Sequence, residues 1–327
     1  MLGLIPWLMP TLADEQMITA LLVLCAVCVA QFLVRGTLIG TRRMAQHGLI
    51  LLLDAVLRLS LAAILVTTAT RVTAGDFALA LVCAIALAHL PVLVWARRAA
   101  LRVSGRAEAL PISPAGMARR VGHLITGSIS SQILLNAPPI VVAAVASSGE
   151  ADVVGRFAAT FTLARLLLFI AVPLQSALVP GFTRLANAGD RRARRMLTAR
   201  IGFGASALAL LTGVLSWWVG PWAIDVVFGP RYGLGSRDVA FMVAGAALYL
   251  GLLVAAQALV GAGLHRLVGV TWTMALAVAI ALFIVVPNLV LRVELGFAIG
   301  SAVGLVLALI FLWRATSART QRPLLPS

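Results

Sequence analysis

Nine long apolar runs dominate the chain, at residues 17–34, 48–70, 77–96, 122–146, 153–178, 201–219, 239–260, 267–286 and 295–313, and short segments carrying most of the charge separate them. About 20 apolar residues cross the roughly 30 Å hydrocarbon core of a bilayer, and lipid offers no partner to an open backbone. Each run is therefore expected to be a transmembrane helix. The strand alternation of a β-barrel is absent. The expected fold class is an all-α integral membrane protein of about nine transmembrane helices. Composition agrees, because 61% of residues are hydrophobic, 11% are charged and mean hydropathy is +1.04, outside the range of soluble globular domains.

A net charge of +15 would point to nucleic acid in a soluble protein, so the placement of the charges decides. All 26 basic residues are arginine. Arg35, Arg42 and Arg43 follow the first run; Arg97, Arg98, Arg102, Arg106, Arg119 and Arg120 the third; Arg184, Arg191, Arg192, Arg194, Arg195 and Arg200 the fifth. Arg266 follows the seventh run, and Arg314, Arg319 and Arg322 the ninth. The alternate segments hold only Arg71, Arg231, Arg237 and Arg292, together with Asp14, Glu15, Asp76, Glu150, Asp152, Asp225, Asp238 and Glu294. The positive-inside rule then places the N-terminus outside and the C-terminus in the cytoplasm, in the cell (inner) membrane. The cluster at 191–195 reads as an anchor on anionic lipid headgroups, so membrane lipids are expected partners and nucleic acid is not.

The N-terminus lacks a basic n-region and does not read as a signal peptide. Cys25, Cys28 and Cys83 fall inside apolar runs and read as packing residues. The first and seventh runs end in the related stretches Ala30-Gln31-Phe32-Leu33-Val34 and Ala256-Gln257-Ala258-Leu259-Val260, and each is followed by one span out and one back. The chain thus divides into three plus six helices, as if three helices of a six-helix repeat were missing before the first. The expected organisation is a partial N-lobe at 1–100, a basic cytoplasmic linker at 101–120, a six-helix C-lobe at 121–316 and a tail at 317–327.

Ionisable groups inside apolar spans are costly, and they mark function by default. Arg58 lies near mid-depth of the second span, one turn after Asp54; this pair either locks the bundle or places a guanidinium on a cavity wall. Arg165, deep in the fifth span, has no acid within a turn and is the leading candidate to meet an anionic group of a substrate, the alternative being a structural partnership with backbone carbonyls or another helix. Arg156 lies nine residues earlier, about 180° around the helix from Arg165, and pairing with Asp152 is the alternative for it. Gln132 and Asn136 precede Pro138-Pro139 in the fourth span, and Gln175 sits between Pro173 and Pro180; these polar residues are candidates to line a cavity in helices that the prolines bend, and those of the fourth span equally to hold one helix on another. His47, His89, His123 and His265 are dispersed. No catalytic, metal-binding or cofactor-binding constellation stands out, and an enzyme is not expected.

Arg35, Gly36, Gly40 and Arg42, then Leu53-Asp54-Ala55 with Arg58-Leu59, Gly155-Arg156-Phe157-Ala158-Ala159, Leu163-Ala164-Arg165 and Pro173-Leu174-Gln175 with Leu178 and Pro180 form a pattern. It resembles the polysaccharide-biosynthesis, O-antigen flippase-like branch of the multidrug/oligosaccharidyl-lipid/polysaccharide exporter superfamily. That resemblance implies two six-helix lobes around a central cavity, with the first three helices lacking here. It also implies a flippase that moves a lipid-linked saccharide outward by alternating access, alongside glycosyltransferases or a polymerase of the same pathway. The rivals are a cation-coupled multidrug exporter of the same superfamily, a membrane glycosyltransferase or polymerase, and an inactive truncated fragment.

Overall fold

The computed structural model describes residues 15–41, 43–69, 72–104, 114–146, 148–170, 181–185 and 190–318. The described residues are almost entirely helical: α1 Glu15–Gly40, α2 Met44–Thr68, α3 Ala74–Ser104, α4 Pro114–Val145, α5 Ala151–Arg165, α6 Arg191–Phe228, α7 Ser236–Gly261, α8 His265–Val285 and α9 Leu289–Ala318. All but α5 are long and apolar enough to cross a membrane, which makes the chain an all-α, multi-pass membrane protein. Its lipid-facing surfaces are apolar, with Leu59 75% and Phe203 79% exposed, a pattern that water would penalise.

Most helices outrun the apolar stretches that mark them. α1 continues from the expected end at 34 to Gly40, α3 runs to Ser104, and α4 already begins at Pro114. The expected linker at 101–120 is thus helical at both described ends, because hydropathy registers only the hydrocarbon layer whereas a helix ends where its backbone finds a cap. Such caps are visible. Thr73 and Asp76 exchange backbone and side-chain hydrogen bonds in a capping box ahead of α3. Asp190 accepts from the Ala193 N–H at the start of α6, and Asn288 from the Leu291 N–H ahead of α9. The fifth expected span is the exception. Its α-helix stops at Arg165 after 15 residues, about 22 Å, and a 3₁₀ turn follows over Leu166–Ile170. Pro173 and Pro180, expected to bend it, lie outside the described residues. α4 is helical straight through Pro138 and Pro139.

The chain forms two compact units, Met1–Pro111 and Ile112–Ser327. In the first, α3 packs against both α1 and α2, which scarcely meet. Val34, Leu38 and Ile50 form one small core and Val27, Val82 and Ile85 another. In the second, α9 packs in the same way against α7 and α8. The two triplets that the sequence relates therefore share a packing pattern.

α7 is the most buried helix of the second unit. An aromatic chain runs past it: Phe161 of α5 meets Phe297 of α9 edge-on at 5.4 Å, Phe297 stacks on Tyr249 of α7 at 5.8 Å, and Tyr249 meets Trp272 of α8 at 5.1 Å. Small residues let the backbones close up. A Cβ on Gly300 would stand 2.6 Å from the Ala275 carbonyl oxygen, and one on Gly245 would stand 2.9 Å from the Phe297 ring. Gly300→Leu must push α8 from α9 and is expected to cost roughly 1–3 kcal/mol, read as a lower Tm of the detergent-solubilised protein. An unchanged Tm would contradict this contact.

Candidate functional site

Polar clusters lie between apolar helices in both units. In the first, Asp54 of α2 is the hub. Arg58, one turn later, donates from Nε to Oδ1 and from Nη2 to Oδ2, both at 2.9 Å, and Arg35 of α1 donates from Nη2 to Oδ2 at 2.8 Å. Arg35 Nε also donates to His89 Nε2 of α3 at 3.2 Å. A guanidinium only donates, so His89 Nε2 must accept. Its proton therefore sits on Nδ1, 3.0 Å from the Ile85 carbonyl oxygen. Two arginines, one aspartate and one neutral histidine join three helices and leave one positive charge. The side chains of Asp54 and Arg35 are 7% and 19% exposed, against 41% for Arg58, so the excess charge lies toward Arg58.

The expected Asp54–Arg58 pair is thus part of a larger network. Arg35 is not a loop arginine, as expected, because α1 continues past it. His89 is not isolated. The signal for Arg35 was present in the buried stripe Val27, Ala30, Gln31, Val34 and Leu38, whose helical spacing continues through position 35.

In the second unit Arg165, half-buried at the end of α5, donates from Nη2 to Asn136 Oδ1 of α4 at 2.8 Å and lies 5.8 Å from the centre of the Phe161 ring. Because Asn136 turns its oxygen to the guanidinium, its amide nitrogen faces back along α4, 2.9 Å from both the carbonyl oxygen and Oε1 of Gln132. Gln132, its oxygen already accepting from Asn136, keeps both amide N–H groups to offer. That residue lines a cavity of about 500 Å³ with Ser128, Ser131, Tyr249, Gln257 and Trp272 among its walls. Tyr249 Oη donates to the Ser131 carbonyl oxygen at 3.1 Å and fixes that wall.

Within the protein Arg165 meets a neutral amide on another helix, Asn136, and it is not among the residues that line the cavity. Its charge remains uncompensated, since no salt bridge to it exists among the described residues. Aligned dipoles in a low-dielectric medium carry the influence of that charge forward. Arg156 is not brought to the site: it is exposed, on the other side of α5, and makes no salt bridge with Asp152 among the described residues. Gln175 lies outside the described residues.

One group that the sequence placed in an outer loop belongs in the protein interior. Glu294 sits within α9, 2% exposed, and neither carboxyl oxygen has a hydrogen-bond partner. Helical spacing links it to the buried Val293, Phe297 and Ser301, and this was its signal in the sequence. Burying a charge without a partner costs far more than burying a neutral polar group. Glu294→Gln is therefore expected to leave thermal stability equal or higher, whereas Glu294→Arg, with its larger and obligate charge, should prevent folding. A Gln variant that loses the fold would show that the carboxyl has a partner.

The chain is 28% identical over 286 residues to the uncharacterized protein Rv1510 of Mycobacterium tuberculosis, an alignment covering 85% of this chain and 62% of that one. It is 29% identical over 285 residues to the uncharacterized proteins Rv3630 of the same organism and Mb3654 of Mycobacterium bovis, with the same coverage. No family model and no solved structure matches the chain. It is thus a multi-pass membrane protein that spans about 62% of the length of the curated relatives it matches.

Proposed function

We propose that the chain is the membrane-embedded part of a flippase that moves a lipid-linked saccharide from the cytoplasmic to the outer leaflet for cell-surface polysaccharide assembly. The observation that carries this reading is the relay from Arg165 through Asn136 to Gln132, which leaves the Gln132 amide N–H groups unengaged at a cavity between α4, α7 and α8 that Ser128, Ser131 and Gln257 also line, with an uncompensated positive charge behind them. A substrate suited to such a wall is rich in oxygen acceptors and negatively charged, as a saccharide on a pyrophosphate is. Organic cations, the usual cargo of a drug exporter, would be repelled by it. The motif resemblance points to the same substrate class. The arginine-rich ends lie in the cytoplasm under this reading, where such a substrate is made, in the cell (inner) membrane.

The test is reconstitution of the chain, or of a full-length relative with the same relay, into proteoliposomes containing a fluorescent lipid-linked oligosaccharide. Movement between leaflets faster than in protein-free vesicles, and slower transport of a cationic dye, is the expected result. Dye export without saccharide movement would favour the exporter reading instead.

A further inference from the structure

A second basic site in the same unit is separate from the relay. Arg119, Arg120 and His123 of α4 meet Gly263 of the α7–α8 turn and His265 and Arg266 at the start of α8 around an open cavity of about 520 Å³. Two features of the fold bring them together. α4 and α8 touch backbone to backbone, since a Cβ on Gly269 would stand 2.9 Å from the His123 carbonyl oxygen. The α7–α8 turn is closed by Gly263 N–H donating to the Val260 carbonyl oxygen and Leu264 N–H to that of Leu259, both at 2.9 Å, with Gly263 at φ 75°, a left-handed conformation in which glycine is unstrained. α8 therefore starts at His265, and the positive end of its dipole faces the basic cluster.

The charges in this cavity are unbalanced. No carboxylate lines it, and Arg119, Arg120 and Arg266 make no salt bridge among the described residues. His265 Nδ1 is buried with no hydrogen-bond partner. The positive-inside rule accounts for arginines on this side of the membrane, but not for three of them and two histidines converging on one pocket from two helices. Converging like charges repel, and an anion between them relieves that repulsion.

We propose that this pocket binds a phosphate-bearing anion, either the headgroup of an anionic phospholipid in the adjoining leaflet or a soluble phosphate compound. Guanidinium forks suit phosphate oxygens, and the histidines add donors. The proposal is independent of the transport reading.

The test uses the full chain in neutral detergent, with Tm measured on adding phosphatidylglycerol or phosphatidylcholine, and sodium pyrophosphate or sodium chloride at matched ionic strength. A rise with phosphatidylglycerol over phosphatidylcholine identifies the lipid source, and a rise with pyrophosphate over chloride the soluble one. In either case Arg119→Gln/Arg266→Gln should weaken the response about tenfold in ligand concentration, as the loss of two charge-assisted contacts requires. Arg231→Gln, at the opposite end of α7, should leave it intact. If the double variant fails to fold, Arg266→Lys, which keeps the charge and loses the fork, should still weaken it. No rise with either ligand, or an undiminished rise in the folded variants, would overturn the proposal.

Discussion

Asp54→Ala is expected to destabilise the α1–α3 unit by roughly 3–5 kcal/mol, the range found when one partner of a buried ion pair is removed. The aspartate takes three hydrogen bonds from two guanidinium groups and is the only carboxylate in that network. Without it, Arg35 would remain partly buried with its charge unopposed, held only by a neutral histidine. Arg58→Ala should cost much less, because Arg58 is 41% exposed and Asp54 keeps Arg35. Arg35→Ala should fall between these two, since it also leaves His89 Nε2 without its donor. Thermal unfolding of the three purified variants gives the ranking. If Asp54→Ala melted with the unmodified protein, the network would have no structural role, and its positive excess would then be better explained by a ligand.

The second large effect is on transport. Asn136→Asp places a carboxylate where Arg165 now finds an amide oxygen, so a salt bridge replaces the hydrogen bond, while the two donations to Gln132 are lost and the Gln132 amide must turn its own N–H groups toward the new carboxylate. The protein should still fold, because the salt bridge offsets those lost donations. The charge behind Gln132 would be cancelled, however, and the proposed flipping of an anionic lipid-linked saccharide should drop by about tenfold or more, one such factor corresponding to 1.4 kcal/mol of lost interaction. Arg165→Ala should lose the same activity and some stability as well, because Asn136 loses its donor and Phe161 its cation. The pair of variants separates electrostatics from packing. Activity retained in a well-folded Asn136→Asp protein would remove the relay from the mechanism.

How much of these sites was legible in the sequence differs from residue to residue. Asp54 and Arg58 stand one turn apart on a single helix, so their contact needed no tertiary information. Arg165 was conspicuous as a charge in an apolar run, and Gln132 and Asn136 as amides in another, but their connection crosses from α5 to α4 and has no local signature. Arg35 and Glu294 were misplaced for a common reason: both lie at the margin of an apolar run, where hydropathy marks the edge of the hydrocarbon and not the end of the helix. The periodicity of their buried neighbours was the better guide.

The sequence by itself determined that the chain is a bundle of membrane helices and which residues within it are chemically expensive, because lipid forces each long apolar run into a helix and penalises every charge left in it. The relation between the first and last three helices was also present in sequence order, and both triplets pack around their third member. Only the tertiary structure decided which expensive residues face one another. That choice depends on helix rotation and on the close approaches that Gly245, Gly269 and Gly300 permit, and these are set by side chains far apart in the chain.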